Sequence, residues 1–143
     1  MDAELDPLRL ENQLCFPLYV CSKEIVRRYK PFLDELDITY TQYIALMALW
    51  DKGALSVKEL GKMLFLDSGT LTPLLKTLES KGLVTRARDK EDERSLIVTL
   101  TDEGMQLRDR AVTIPARMGS CIQLDPKDAA DLYRILHSLM DNM

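Results

Sequence analysis

The chain has 143 residues, 46% apolar and 29% charged, with a net charge of −4. That length predicts one domain able to bury its own core, and that balance excludes a disordered or fibrous chain. No apolar run approaches a membrane span, and no charged-then-apolar leader with a small-residue cleavage site is legible. A cytoplasmic protein with reduced thiols and no membrane partner is therefore expected. There are three cysteines, none in CxxC spacing, and one histidine, His137. That inventory argues against a zinc site or a disulfide framework, and no cofactor is expected.

Helical periodicity dominates. Leu14, Leu18, Cys21, Ile25, Tyr29, Phe32 and Leu36 recur every three or four residues, an apolar stripe along one long helix. Asn12 is the candidate cap, Pro17 fits the first turn, and Pro31 kinks or shortens the far end. A second helix over about 40–50 is apolar nearly all round, which marks it as buried, with Thr39 or Thr41 as its cap. Ser56 and Glu59 then form an S-x-x-E capping box. "LDSGTLTPLLKTLESKG" follows. Asp67 or Ser68 caps it, Leu71, Leu74, Leu75 and Leu78 face inward, and Gly82 suits the position after its end. This is a helix-turn-helix. The period then changes. "LVTRAR" and "RSLIVTL" read as two strands joined by the charged run "DKEDE". Thr101 caps a further helix reaching about Pro115. Asp125 and Pro126 open the last helix, whose Leu132, Ile135, Leu136 and Leu139 share a face.

The fold class is thus mainly α with a small β-hairpin wing: a winged helix-turn-helix over about 40–100, flanked by terminal helices over about 10–37 and 102–143. The terminal helices carry more apolar surface than so small a domain covers, so they are expected to dimerise. Charge is uneven too. Lys76, Lys81, Arg86 and Arg88 against Glu79 leave the segment from Ser68 to Arg88 at +3. A locally basic face on an acidic protein can hold DNA, because phosphate contacts are short-range at physiological salt.

"DERSLIVTLTDEG", Asp92 to Gly104, resembles the wing signature D-x-R-x(4)-v-x-L-T-x-x-G of the MarR family of bacterial transcription regulators. The order of elements is similar to that family over nearly the whole chain. "LENQLCFPLY", "YKPFLDELDITYTQY" and "LDSGTLTPLLKTLE" resemble its organic-hydroperoxide-sensing branch, usually called OhrR. The resemblance implies a homodimeric repressor bound to a pseudo-palindromic double-stranded operator. It implies that the helix carrying Ser68, Gly69, Thr70, Thr72 and Lys76 lies in the major groove. It implies that Arg94 reads the minor groove, oriented by Asp92. Arg86 and Arg88 would touch phosphates, or else be solvated strand residues. On the residues alone, "DKEDER" is equally an ordinary charged turn.

Two of the cysteines fall in "LENQLCFPLYVCS". A thiol reacts with peroxide as thiolate, which a helix start and hydrogen-bond donors favour. No basic residue within six positions precedes or follows Cys15 except Arg9, so phenols are the better donors. On the residues alone, buried packing is the simpler reading of Cys15; it stays the reading of Cys21. The resemblance implies instead that Cys15 is the redox sensor. Tyrosines matching Tyr29 and Tyr40, from the partner subunit, and Tyr19 would hydrogen-bond its thiolate. It also implies that Cys121 resolves the oxidised Cys15 by an intersubunit disulfide, or that a low-molecular-weight thiol caps it. Oxidation by organic hydroperoxides would then release the operator. Two other functions compete. One is a repressor answering to a small lipophilic or phenolic ligand held near Phe16, Met47 and Trp50. The other is a thiol peroxidase cycling Cys15 with Cys121. His137 reads as a solvated residue.

Overall fold

The structure is a computed structural model that describes residues 6–143. A single 3-10 turn at Leu10–Asn12 leads into helix α1, Cys15–Asp34. Asn12 does not cap it: Leu14 stands at the cap position without a side-chain bond, and the Asn12 amide donates to the Asp6 carbonyl instead, at 2.9 Å. Pro17 is the third helical residue, where its missing N–H costs nothing. Pro31 sits inside the last turns, and the helix ends three residues later. Asp37, in the left-handed region at φ 54°, then turns the chain.

Helix α2, Tyr40–Lys52, opens with a complete capping box. Thr39 accepts from the Gln42 N–H and the Gln42 side chain accepts from the Thr39 N–H. Strand β1, Ala54–Ser56, comes next and precedes helix α3, Val57–Leu64. Ser56 caps α3 through the Glu59 N–H at 3.0 Å. Only that half of the expected box is present, because Ser56 is at once a strand residue in register with Ile97. Helix α4, Ser68–Ser80, is capped by Asp67, not Ser68. It ends in a Schellman turn: the Gly82 N–H donates to Glu79 and the Leu83 N–H to Leu78. Gly82 takes the left-handed position at φ 77° that the sequence assigns it.

Strands β2, Val84–Arg88, and β3, Leu96–Leu100, form the hairpin. The sheet has three strands, not two, in the order β1-β3-β2 and all antiparallel, with Leu55 and Arg86 flanking Val98. Thr101 caps α5, Asp102–Ala111. That helix stops short of Pro115, which lies instead in the first turn of a separate helix α6, Ile114–Gly119. Proline is at home there, so it begins a helix where the sequence suggested it ended one. Helix α7, Pro126–Asp141, has the expected Asp125 cap and leading proline.

The core sits in the middle of the chain. Leu46 and Leu49 of α2, Leu60 of α3, Leu71, Leu75 and Leu78 of α4, and Val84 and Val98 of the sheet are all buried. One polar junction closes it. Thr101 Oγ1 bridges the Gly82 carbonyl and the Gly104 N–H, and the Trp50 indole donates to the Gly104 carbonyl at 2.9 Å. The terminal helices differ. In α1 only Leu33 is buried, and in α7 no residue is. No described helix is long and apolar enough to cross a membrane.

Candidate DNA-reading face and thiol site

The turn between α3 and α4 is tight for a local reason. Phe65 adopts the left-handed conformation at φ 55°, and a side chain on Gly61 would press within 2.8 Å of the Leu66 carbonyl. The turn brings the start of α4 to the surface. Asp67 Oδ1 accepts the Thr70 N–H at 2.8 Å, which leaves the Ser68, Gly69 and Thr70 surface exposed. Thr72 is half-buried and Lys76 exposed, while Leu71, Leu74, Leu75 and Leu78 fix the opposite face in the core. The N-terminal turn of a helix presents free N–H groups and the positive end of its dipole.

At the wing tip, Asp92 organises the loop. Its carbonyl accepts the Ser95 N–H at 2.9 Å. Its Oδ1 accepts the Arg94 N–H at 3.1 Å and stands 3.9 Å from Arg94 Nε. The Arg94 side chain is 98% exposed. Ser68, Asp92 and Arg94 line one open groove of about 1460 Å³, together with Phe65 and the C-terminal Met140 and Met143. Arg88 remains on the surface and donates to the Glu93 carbonyl at 3.2 Å. Arg86 does not stand free as a phosphate contact would: its guanidinium turns inward to Glu79 at 3.2 Å, and its side chain is 16% exposed.

Cys15 is exposed at the first position of α1. Tyr19, one turn on, is exposed as well, with Lys23 Nζ 5.5 Å from its ring centre. Tyr29 and Tyr40 lie together, ring centres 5.0 Å apart. Tyr43, which the sequence reading missed, completes a trio at 5.7 Å and 6.2 Å from them. Its alternation within an all-apolar helix gave it no distinguishing signal. Burial pushes the phenols of Tyr29, Tyr40 and Tyr43 above their ordinary range, so they stay protonated donors. Fourteen residues of helix, about 21 Å, separate Cys15 from Tyr29. One protomer therefore does not bring the Cys15 thiol to this trio.

Cys121 is half-buried beside the other end of α1. Its thiol donates to the Arg117 carbonyl at 3.5 Å, and Arg28 Nη1 donates to the Cys121 carbonyl at 2.7 Å. Cys21 is exposed rather than packed, because that part of α1 has no cover within the chain. The pocket expected from Phe16, Met47 and Trp50 does not form as such. Met47 and Trp50 line a cleft of about 330 Å³ with Tyr43, Arg108, Val112 and Pro115. Phe16 lies apart, against Arg9 and Leu10. His137 is exposed and stacks on Tyr133 at 3.8 Å.

A reading helix followed directly by a wing, with flanking helices at both ends, defines a winged-helix transcriptional regulator. Residues 27–111 match the family model described as transcriptional regulator SarA/Rot. The chain is 46% identical to the organic hydroperoxide resistance transcriptional regulator of Bacillus subtilis, over all of this chain and 97% of that one. Reduced AbfR bound to DNA superposes with a TM-score of 0.82 at 34% identity, covering 97% of this chain and 95% of that one. Disulfide-formed AbfR gives 0.63 at 36% identity, covering 94% and 89%; AbfR is a protein of Staphylococcus epidermidis. The chain belongs to the MarR family of winged-helix transcriptional regulators, in its organic-hydroperoxide-resistance branch. These relatives are DNA-binding regulators and not enzymes.

Proposed function

We propose that the chain is a homodimeric repressor that leaves its operator when an organic hydroperoxide oxidises Cys15. The observation that carries this reading is the trio of Tyr29, Tyr40 and Tyr43. Three half-buried or buried phenols, kept protonated, gather on one side of the chain. They make no hydrogen bond among the described residues, so an incoming anion finds donors ready. Cys15 is about 21 Å away along its own helix. In the dimer, the donors for one Cys15 come from the partner copy.

Dimerisation has its own support. Leu14, Phe16 and Leu18 at the start of α1, and Leu132, Ile135 and Leu139 on α7, are exposed. Pairing the regions of about 10–37 and 102–143 across a two-fold axis covers these faces and sets two winged heads, about 40–100, at a fixed half-site spacing. In each head Ser68, Gly69, Thr70, Thr72 and Lys76 face the major groove. Arg94, steadied by Asp92, enters the minor groove, where arginine favours a narrow, electronegative channel.

The Cys15 thiolate attacks the terminal peroxide oxygen. The O–O bond breaks, an alcohol leaves, and the cysteine becomes a sulfenic acid. Cys121 of the partner copy then displaces water to form a disulfide, or a low-molecular-weight thiol does so. A bridge within one protomer is excluded by distance. Cys121 is fastened to Arg28, about 20 Å along α1 from Cys15, whereas a disulfide needs Cα atoms within roughly 7 Å.

The test is a gel-shift titration with a small organic hydroperoxide. The wild-type protein is expected to release its operator and Cys15→Ser to keep it. Release by Cys15→Ser would end the proposal. Non-reducing electrophoresis separates the two closing routes: a covalent dimer lost in Cys121→Ser marks the disulfide, and a monomer with added thiol mass marks the cap.

A further inference from the structure

We infer that Arg86 is a positioning residue, which through Glu79 fixes the angle between the reading helix α4 and the wing. The inference rests on the assignment of these two elements to DNA and is independent of the thiol.

Glu79, in the last turn of α4, holds Arg86 twice. Its Oε2 accepts the Arg86 backbone N–H at 3.0 Å, and its Oε1 accepts Arg86 Nη2 at 3.2 Å. One carboxylate thus grips main chain and side chain of the middle residue of β2. The guanidinium is committed inward, and Arg86 Nε is buried without a partner. A group that accepts such a desolvation cost is not kept as a mobile phosphate contact. Arg86 also lies in register with Val98, on the central strand of the sheet. Gripping it grips the wing as a whole, from the open edge of β2.

The clamp closes a short hinge. Between Glu79 and Arg86 runs the Schellman turn, whose two bonds are main-chain only. The carboxylate adds a brace across its open side. Both reading elements lie away from this hinge, along α4 on one arm and along the hairpin on the other. Ser68 is eleven residues before Glu79, about 16 Å along α4, and Arg94 is at the tip of the other arm. A 10° change at the hinge would move the start of α4 by about 3 Å relative to the wing, more than a hydrogen bond tolerates.

The electrostatics give the test its sign. Glu79 is the acid in an otherwise basic segment, so removing its charge should tighten DNA binding if Arg86 were a phosphate contact held in check. Positioning requires the reverse. A duplex is first selected from a random-sequence pool by the full-length wild-type protein. A second duplex differs only where A·T pairs under the wing become G·C. Glu79→Gln is expected to weaken the selected duplex about tenfold, the size of one lost specific contact, and to narrow the preference between the duplexes. The slope of log affinity against log salt should not change. Arg86→Met and Arg86→Lys should match it, since lysine keeps the charge but not the fork, and the double variant should be no worse than either. Tighter binding by Glu79→Gln, a salt slope reduced by about one in Arg86→Met, or wild-type behaviour of Arg86→Lys would overturn the inference. So would losses equal on both duplexes that follow a lowered Tm, which would make the clamp a fold element only. A wild-type protein that enriches no duplex would remove the DNA assignment itself, and the inference with it.

Discussion

The winged body and the terminal helices are built on opposite terms. In the body, leucines at every third or fourth position of α2, α3 and α4 meet one another and the valines of the sheet, and they are buried within one chain. On α7 the same leucine spacing buries no residue: Leu132, Ile135 and Leu139 are exposed although the helix keeps its Asp125 cap. Local signals therefore fix where a helix begins and which face is apolar, and only tertiary context decides what that face touches. A body packed within one chain, carrying helix faces that the chain leaves uncovered, suits a two-headed reader of DNA.

The contrast can be broken most severely from inside the body. Leu75→Ala removes a side chain with no exposure at the centre of α4, which should cost about 2–5 kcal/mol. Urea unfolding should show the midpoint falling with little change in slope. A loss under 1 kcal/mol would mean that the centre is not packed as described. The opposite region is tested by placing charges on α7 with Leu132→Asp and Ile135→Asp. Sedimentation should show a monomer whose far-ultraviolet circular dichroism is kept, because the body does not lean on that face. Retention of the dimer would assign pairing to other elements.

The smallest effect sharpens the boundary between the regions, where the tyrosine trio lies. Folding favours the neutral phenols of Tyr29, Tyr40 and Tyr43, whose pKa values are raised. Their contribution to stability is full below the unfolded value of about 10 and is lost as pH rises through the higher folded values. Absorbance at 295 nm should show three of the five tyrosines ionising above that range in the native protein and within it in urea. Three ordinary titrations in the native protein would mean that the trio is open to water.

Much of the body was legible because its signals are local. Ser56, Asp67, Thr101 and Asp125 announce their helices by side-chain chemistry within three residues, and Gly82 announces a left-handed turn. What the sequence concealed depends on distance. Strand β1 is three residues long, too short for any period, and exists because β3 offers an edge to pair with. The break between α5 and α6 falls in an apolar stretch without glycine, and Pro115 suits the start of a helix as well as the end of one. At the candidate site, Ser68, Thr70, Asp92 and Arg94 are exposed at the start of α4 and at the wing tip, places that a short motif makes legible. The pairing of Arg86 with Glu79 was not legible, since strand alternation cannot reveal a carboxylate waiting on a neighbouring helix. Tyr43 was missed, since a phenol in an apolar run reads as core until its two neighbours are seen beside it.

The junction around Gly104 has a further, practical consequence. Trp50 is the chain's one tryptophan. Its indole N–H is bonded to the first turn of α5, and its ring meets Tyr43 edge-on at 6.5 Å. The protein thus carries a built-in fluorophore with a single origin, seated between the helix that holds the phenols and the helix that leaves the wing. A shift in its emission reports the opening or closing of that seam without any label, in free protein and on DNA alike.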